Sequence, residues 1–330
     1  MNRIYRFDTA KTILMIQVVL CHAVTFCVGP LPLKEFARFS ILGCAMPVFM
    51  FISGYLSKPR LSMRSTLGLG ILFVLCNTVG NLVAALSNGT PFNPFKRSVV
   101  MWYLMALIIY RIAMPVFLRI PSLLLVAGSF LLSWNPAFFR SDSLSPIVGR
   151  MFAFLPFFVL GHIVSRERRI SNIKRWITTE CGRSGYAFIL AAILIAGAWF
   201  ALAGIQPGLL TRNVTFATFG GGIRTVLQKS VFQAIYIVMG ICFLKVCPVR
   251  ETRLSKYGAR TLPVYLFHPY ILVPTAAFVS RYPMLSPCPI KYSMMGLAAI
   301  ASMFFFHSRI QASISRIVSL DIWHGRSSHK

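Results

Sequence analysis

The run FDTAKTILMIQVVLCHAVTFCV, residues 7–28, decides the fold. About 20 apolar residues, each rising roughly 1.5 Å along a helix, cross the hydrocarbon core of a bilayer. The run therefore predicts a transmembrane helix. It is not uniformly apolar. Asp8 and Lys11 stand at its mouth and His22 lies inside it. With about 100° of turn per residue, Lys11 and His22 fall within about 20° of one face, and about 16 Å separates them along the axis. Asp8 lies about 40° from that face, one turn before Lys11. A cation at the membrane surface and an imidazole at membrane depth thus share one stripe. Ionisable groups inside a membrane are costly and by default mark a site or a pathway. The plain alternative is a histidine that hydrogen-bonds to a neighbouring helix, with Asp8 and Lys11 as interfacial charges.

The rest of the chain agrees with a membrane reading. Of its 330 residues 56% are hydrophobic and only 12% charged, whereas a soluble domain carries about 25% charged residues. Mean hydropathy is +0.70. The net charge of +27 comes from 34 Lys and Arg against 7 Asp and Glu. In a soluble chain that excess points to nucleic acid. Here the basic residues sit between apolar runs, as membrane topology requires, so no nucleic-acid partner is expected and lipid is. The eight cysteines are scattered singly, without the paired spacing of a metal site or disulfide framework. No metal is expected. The first run is long, lacks a clear small-residue cleavage site and is followed by further spans, so it reads as a retained helix rather than a signal peptide.

Ten spans are expected, near 9–29, 36–56, 66–87, 99–118, 120–134, 147–165, 185–205, 223–247, 260–279 and 292–309. Their runs are continuous rather than alternating, which predicts helices, not a β-barrel. The expectation is an all-α, polytopic helical bundle forming one domain over residues 1–330. With the N-terminus inside, twenty-two Lys and Arg fall on the inner side and eleven on the outer, Arg111 staying unassigned within the fourth span. That bias places both termini in the cytoplasm.

Further landmarks follow in order: MPVFMFISGYLSK at 46–58, MWYLMAL at 101–107, GRMFAFLPFFVLGH at 149–162 and YGARTLPVYLFHP at 257–269. Singly, each has a plain reading. Pro47 kinks a helix, Gly54 lets helices approach, and Trp102 and Tyr103 form an interfacial belt. In this order they resemble the membrane-bound acyltransferase-3 family. Its first helix carries an acidic residue, then Arg or Lys, then ten residues, then His, as Asp8, Lys11 and His22 do here. FISGYL resembles its PxFFxxSGY/F helix, WYL its WFL segment, GRMFAFLPFFVLG its PFFxxG helix and LPVYLFH its xYLxH helix. The family's basic pair after the second helix is only approximated by Arg60 and Arg64, and the esterase-like domain of some members is not expected here.

The resemblance implies a ten-helix bundle in a plasma membrane, the bacterial inner membrane for most members. It implies transfer of an acyl group, usually acetyl, from cytoplasmic acyl-CoA to a hydroxyl of a surface glycan or lipid-linked sugar. Acetyl-CoA would be a co-substrate, with no bound cofactor. It carries over His22 as the catalytic residue, Lys11 as the family's cation and Arg150 as the arginine before PFFxxG. A neutral imidazole suits the role, since it can take the hydroxyl proton during attack on the thioester. Asp8 and Lys11 are expected at the donor-binding end, where cationic side chains would hold the CoA phosphates. Arg150 suits a developing oxyanion, an acceptor phosphate or a snorkelling position near a helix end. His268, with Tyr265 one turn earlier on its face, either joins the site, orients His22 or packs. Arg224 with Gln228, and Lys229 with Gln233, either bind a sugar or are solvated at a helix start. A glycan transporter or flippase lined by His22, Arg150 and His268 stays open as the rival, as does a non-catalytic assembly subunit.

Overall fold

The computed structural model describes residues 3–26, 31–58, 62–93, 101–134, 146–167, 171–179, 182–202, 223–282 and 288–319. Among them there is no strand, and the fold is an all-α membrane bundle. Its helices are α1 (Tyr5–Phe26), α2 (Leu31–Ser40), α3 (Met46–Tyr55), α4 (Met63–Asn88), α5 (Trp102–Phe117), α6 (Ser122–Trp134), α7 (Pro146–Arg166), α8 (Ser171–Thr178), α9 (Arg183–Leu202), α10 (Ile223–Val246), α11 (Thr261–Arg281), α12 (Cys288–Ser302) and α13 (Ser308–Ser319). Among the described residues seven stretches are long and apolar enough to cross a membrane, and three shorter apolar helices accompany them. Together they correspond to the ten expected spans. The loop 206–222, expected on the outer side, lies outside the described residues.

Two features depart from the expected helices. The span expected near 36–56 is α2 and α3 joined through a π turn, Ile41–Ala45, where the Met46 amide donates to the Ile41 carbonyl. Pro47 follows at once and has no amide to continue the regular ladder, so the register changes just ahead of it. In addition, α8 and α13 are short amphipathic helices that no apolar run announces. SNIKRWIT places Ile173 and Ile177 one turn apart, among Lys174 and Arg175. SRIQASISRIVS repeats Ile310, Ile314 and Ile317 on one stripe.

The chain forms two compact units, residues 1–57 with 121–259, and residues 58–120 with 260–330. In the first, α1 runs antiparallel to α2 and α3. The Phe7 and Tyr55 rings meet edge-on at 4.9 Å, and Gln17 Nε2 donates to the Ser40 carbonyl at 3.3 Å. Backbone contact joins α3 to α7. A Cβ on Gly54 would lie 1.9 Å from the Phe158 carbonyl oxygen, and one on Gly161 2.0 Å from that of Phe51. Lipid offers no hydrophobic drive between helices, so such close approach is what holds them. The FISGY and PFFVLG segments therefore meet through their glycines.

In the second unit α4 packs against α5, α11 and α13. Tyr270 Oη donates to the Cys76 carbonyl at 2.6 Å. A Cβ on Gly68 would lie 2.3 Å from the Val318 carbonyl oxygen. Arg111, unassigned in the sequence, donates to Ser65 Oγ at 3.2 Å, so α5 and α4 share it. The left-handed Gly89 (φ 64°) closes α4, a conformation that costs glycine little.

Candidate functional site

The first turn of α1 is clamped from several directions. Asp8 Oδ1 accepts from Lys11 Nζ at 2.9 Å, and Oδ2 from Arg3 Nε at 2.7 Å. The carboxylate thus orients both cations, and its hydrogen bond and charge raise the Arg3 pKa. Arg3 Nη2 also donates to the Ser255 carbonyl at 2.9 Å. Thr12 Oγ1 donates to the Leu254 carbonyl at 2.9 Å, and the Thr9 and Thr252 hydroxyls pair at 3.0 Å. Gly258, from the YGAR segment, lies so close that a Cβ there would stand 2.4 Å from Asp8 Cα. Residues 252–258 are the wall against which Asp8 and Lys11 are set.

Beside this cluster the sequence reading missed two cations. Arg6 and Lys245 were counted only as inner charges, yet both are almost fully buried. Arg6 donates to the Cys247 carbonyl at 2.9 Å, to the Thr179 carbonyl at 3.1 Å and to the Ile177 carbonyl. Lys245 donates to the Trp176 and Thr179 carbonyls and lies 4.6 Å from the Trp176 ring centre. These carbonyls end α8 and α10. The last four carbonyls of a helix lack helical partners and carry its negative pole, so the two cations close those ends. Burial pushes the neighbouring Cys247 thiol up to about 12, which leaves it neutral. Lys174 on α8 lies 5.9 Å from the Tyr55 ring centre.

His22 stands toward the other end of α1, half-buried, its ring stacked on Phe26 at 5.4 Å. The two rings are one turn apart on the helix. Arg150, half-buried in the first turn of α7, belongs to the same end of the unit. The contacts Phe7–Tyr55 and Phe51–Gly161 bring the final turns of α3 and α7 to the Lys11 end. Arg150 precedes Gly161 by eleven residues, which carries it about 16 Å back toward the His22 end. Lys11 and His22 keep the separation that the sequence implied. The stripe between them is filled, however, because Leu14, Met15 and Val18 are buried there.

Tyr265 and His268 belong to the second unit, and both are buried. Their rings lie 6.4 Å apart, and Tyr265 meets Tyr103 edge-on at 5.4 Å. The WYL and LPVYLFH segments therefore meet, as the two glycine segments do in the first unit. His268 Nδ1 donates to the Val264 carbonyl at 2.9 Å, and Nδ1–H is the neutral tautomer that this acceptor selects. Pro269 follows without an amide proton. The structure thus joins Asp8 to Lys11 and Tyr265 to His268, and sets His22 and Arg150 at one end of the first unit.

The family model described as an acyltransferase domain, family 3, matches residues 4–307. The match takes in Asp8, Lys11, His22, Arg150, Tyr265 and His268 and runs through both units. No curated relative and no solved structure matches the chain.

Proposed function

The chain belongs to the acyltransferase-3 family, and from that membership we propose that it moves an acetyl group from cytoplasmic acetyl-CoA to a hydroxyl of a surface glycan or its lipid-linked precursor. What carries the reading is the layout of α1 within a chain matched by the family over nearly its full length. A lysine fixed by a carboxylate stands near one end, and an imidazole follows eleven residues later.

Lys11 and Arg3 hold the donor's phosphates at the inner surface. The thioester is delivered toward His22, while the acceptor approaches from the outer side. The stripe between Lys11 and His22 is filled, and Met15 is the side chain that gives way. An unbranched thioether repacks at low cost. The acceptor oxygen attacks the thioester carbonyl carbon as His22 takes its proton. The carbon–sulfur bond then breaks, and the proton passes to the departing CoA thiolate. Arg150, at the His22 end, stabilises the negative charge on the carbonyl oxygen during attack. Tyr265 and His268 pack the second unit.

The test is turnover by the purified protein in detergent. Radiolabelled acetyl-CoA and a soluble glycan acceptor should yield labelled glycan, or slow thioester hydrolysis without acceptor. His22→Ala should abolish both while leaving the thermal midpoint near that of wild type. Wild-type protein that binds glycan but never consumes acetyl-CoA would make it a glycan carrier instead.

A further inference from the structure

Lys229, Gln233 and Tyr236 lie on one stripe of α10, at i, i+4 and i+7. The sequence admits a sugar site or a solvated helix start here. The structure removes the solvated reading, for the three residues are 9%, 8% and 4% exposed. Gln233 is fixed on both sides by the end of α6. Its Oε1 accepts from Trp134 Nε1 at 3.1 Å, and its Nε2 donates to Ser133 Oγ at 2.8 Å. Ser133 donates onward to the Phe130 carbonyl at 2.7 Å. Lys229 makes no ion pair or hydrogen bond among the described residues. The Tyr236 hydroxyl is buried and likewise has no partner among them. Little of the Lys229 side chain is left to solvent, and its ammonium stands on the same stripe as that hydroxyl.

Charge balance sharpens the point. A buried ammonium needs an anion or, like Lys245, a set of carbonyl acceptors, and no described carboxylate forms an ion pair with Lys229. Asp8 is held by Arg3 and Lys11, and Glu35 pairs with Arg38 through Oε1 while its buried Oε2 accepts no hydrogen bond among the described residues. Glu167 accepts from Ser122, and Glu251 acts on Arg3 at the far end of the unit. Position sharpens it again. Arg6 binds the carbonyl that ends α10, so Lys229, eighteen residues before Cys247, lies about 27 Å from that end. His22, sixteen residues beyond Arg6, lies about 24 Å from it along α1. The unpaired ammonium and the imidazole share one level of the first unit.

We propose that Lys229, Gln233 and Tyr236, braced by Ser133 and Trp134, form the subsite for an anionic oxygen group of the acceptor glycan, a phosphate or a carboxylate. The ammonium supplies the charge, and the tyrosine hydroxyl and remaining amide hydrogen fix its oxygens. Trp134 presents a flat ring suited to a sugar. The word acceptor rests on the acyltransferase reading above; the anion subsite does not.

The test is binding by the full chain in neutral detergent, with CoA at saturation so that the donor-side cations are occupied. Glucose 1-phosphate and glucuronate should each be compared with glucose by equilibrium dialysis. Wild type should bind at least one anionic sugar about ten-fold more tightly than glucose, and which one does so names the group. Lys229→Met should remove that preference while CoA binding and the thermal midpoint are kept, and Lys229→Arg should retain it. Tyr236→Phe, which deletes only a hydroxyl, should weaken anionic binding several-fold and serves if the methionine variant does not fold. Equal binding of all three sugars, or an unchanged preference in Lys229→Met, overturns the proposal. So does phosphatidylglycerol in mixed micelles being the sole anion that Lys229→Met releases, since that assigns the lysine to a lipid headgroup. Anionic sugar binding without acetyl-CoA turnover would remove the acyltransferase reading and leave the subsite. Turnover without anionic preference would do the reverse.

Discussion

Replacing Gly161 by alanine tests how α7, and with it Arg150, is held. The added Cβ would stand 2.0 Å from the Phe51 carbonyl oxygen, 2.8 Å from its carbon and 2.9 Å from the Tyr55 nitrogen. Carbon and oxygen in close helix contact sit about 3.3 Å apart or more, so the helices must part by roughly 1.3 Å. All three obstacles are backbone, and no rotamer change relieves them. Overpacking of a core typically costs about 1–3 kcal/mol, and a backbone obstacle puts this case at the upper end. Alanine returns up to about 1 kcal/mol through helix propensity. The net expectation is destabilisation by about 2 kcal/mol. Gly54→Ala, with its Cβ 1.9 Å from the Phe158 oxygen, should cost a similar amount. One separation relieves both clashes, so the double variant should cost clearly less than the sum.

The assay is thermal unfolding in detergent followed by tryptophan fluorescence. Gly128→Ala and Gly296→Ala are the controls, because a Cβ at either glycine meets nothing within 4 Å. They should leave the midpoint unchanged or raise it. Equal midpoints for Gly161→Ala and Gly128→Ala would refute the crossing. A folded Gly161→Ala protein should also turn over more slowly, because parting α3 from α7 shifts the helix that carries Arg150.

Along α1 the kinetic roles should separate. Lys11→Ala raises the acetyl-CoA KM with kcat less affected, Lys11→Arg restores it, and the defect shrinks at high salt. His22→Ala lowers kcat by about 10² to 10⁴ at any salt, and His22→Gln does not rescue it, because an amide cannot take the proton. Kinetics at several ionic strengths check both, and an unchanged KM in Lys11→Ala or a kcat within a few-fold in His22→Ala would sink the assignment. Asp8→Asn releases Arg3 and Lys11 together, lowering the thermal midpoint and raising the acetyl-CoA KM; thermal and kinetic titrations read both. Thr179→Cys should be shielded from an impermeant thiol reagent in intact cells and Gln206→Cys labelled, because residues 166–184 hold six Lys and Arg and residues 206–222 one; the opposite pattern would reverse the orientation.

What the sequence made legible was what a single helix determines by itself. The ten apolar stretches, the Lys11–His22 spacing and the lone cysteines are local properties, and helix geometry alone converts them into positions. The glycines of FISGY and PFFVLG were legible as a capacity for close approach, but not as partners of each other. Arg6 was not legible, because its neighbours make it an ordinary interfacial charge. Its acceptors at Ile177, Thr179 and Cys247 lie 171, 173 and 241 positions away. Lys229 and Gln233 failed for the same reason, since the partners that fix Gln233 lie 99 and 100 positions away. Residue type set the chemistry available to each position, and distant contacts decided whether it was used.

That distinction matters most for the excess of positive charge. Charge excess alone reads as a uniform field near the Lys11 end, ready to attract a polyanion such as CoA. The contacts divide those cations into two kinds. Arg6 and Lys245 are buried and donate to carbonyls that end helices. Arg3 and Lys11 remain partly accessible, at 47% and 18% of their side-chain surface, and share one carboxylate. The trio of Arg3, Asp8 and Lys11 therefore carries a net charge of only +1, less than the sequence count suggests. What it offers a phosphate is orientation rather than quantity of charge, with two donors held by one carboxylate against the wall of residues 252–258. On this argument the segment carrying Gly258 belongs to the proposed donor site as much as Lys11 does, because it packs against Asp8.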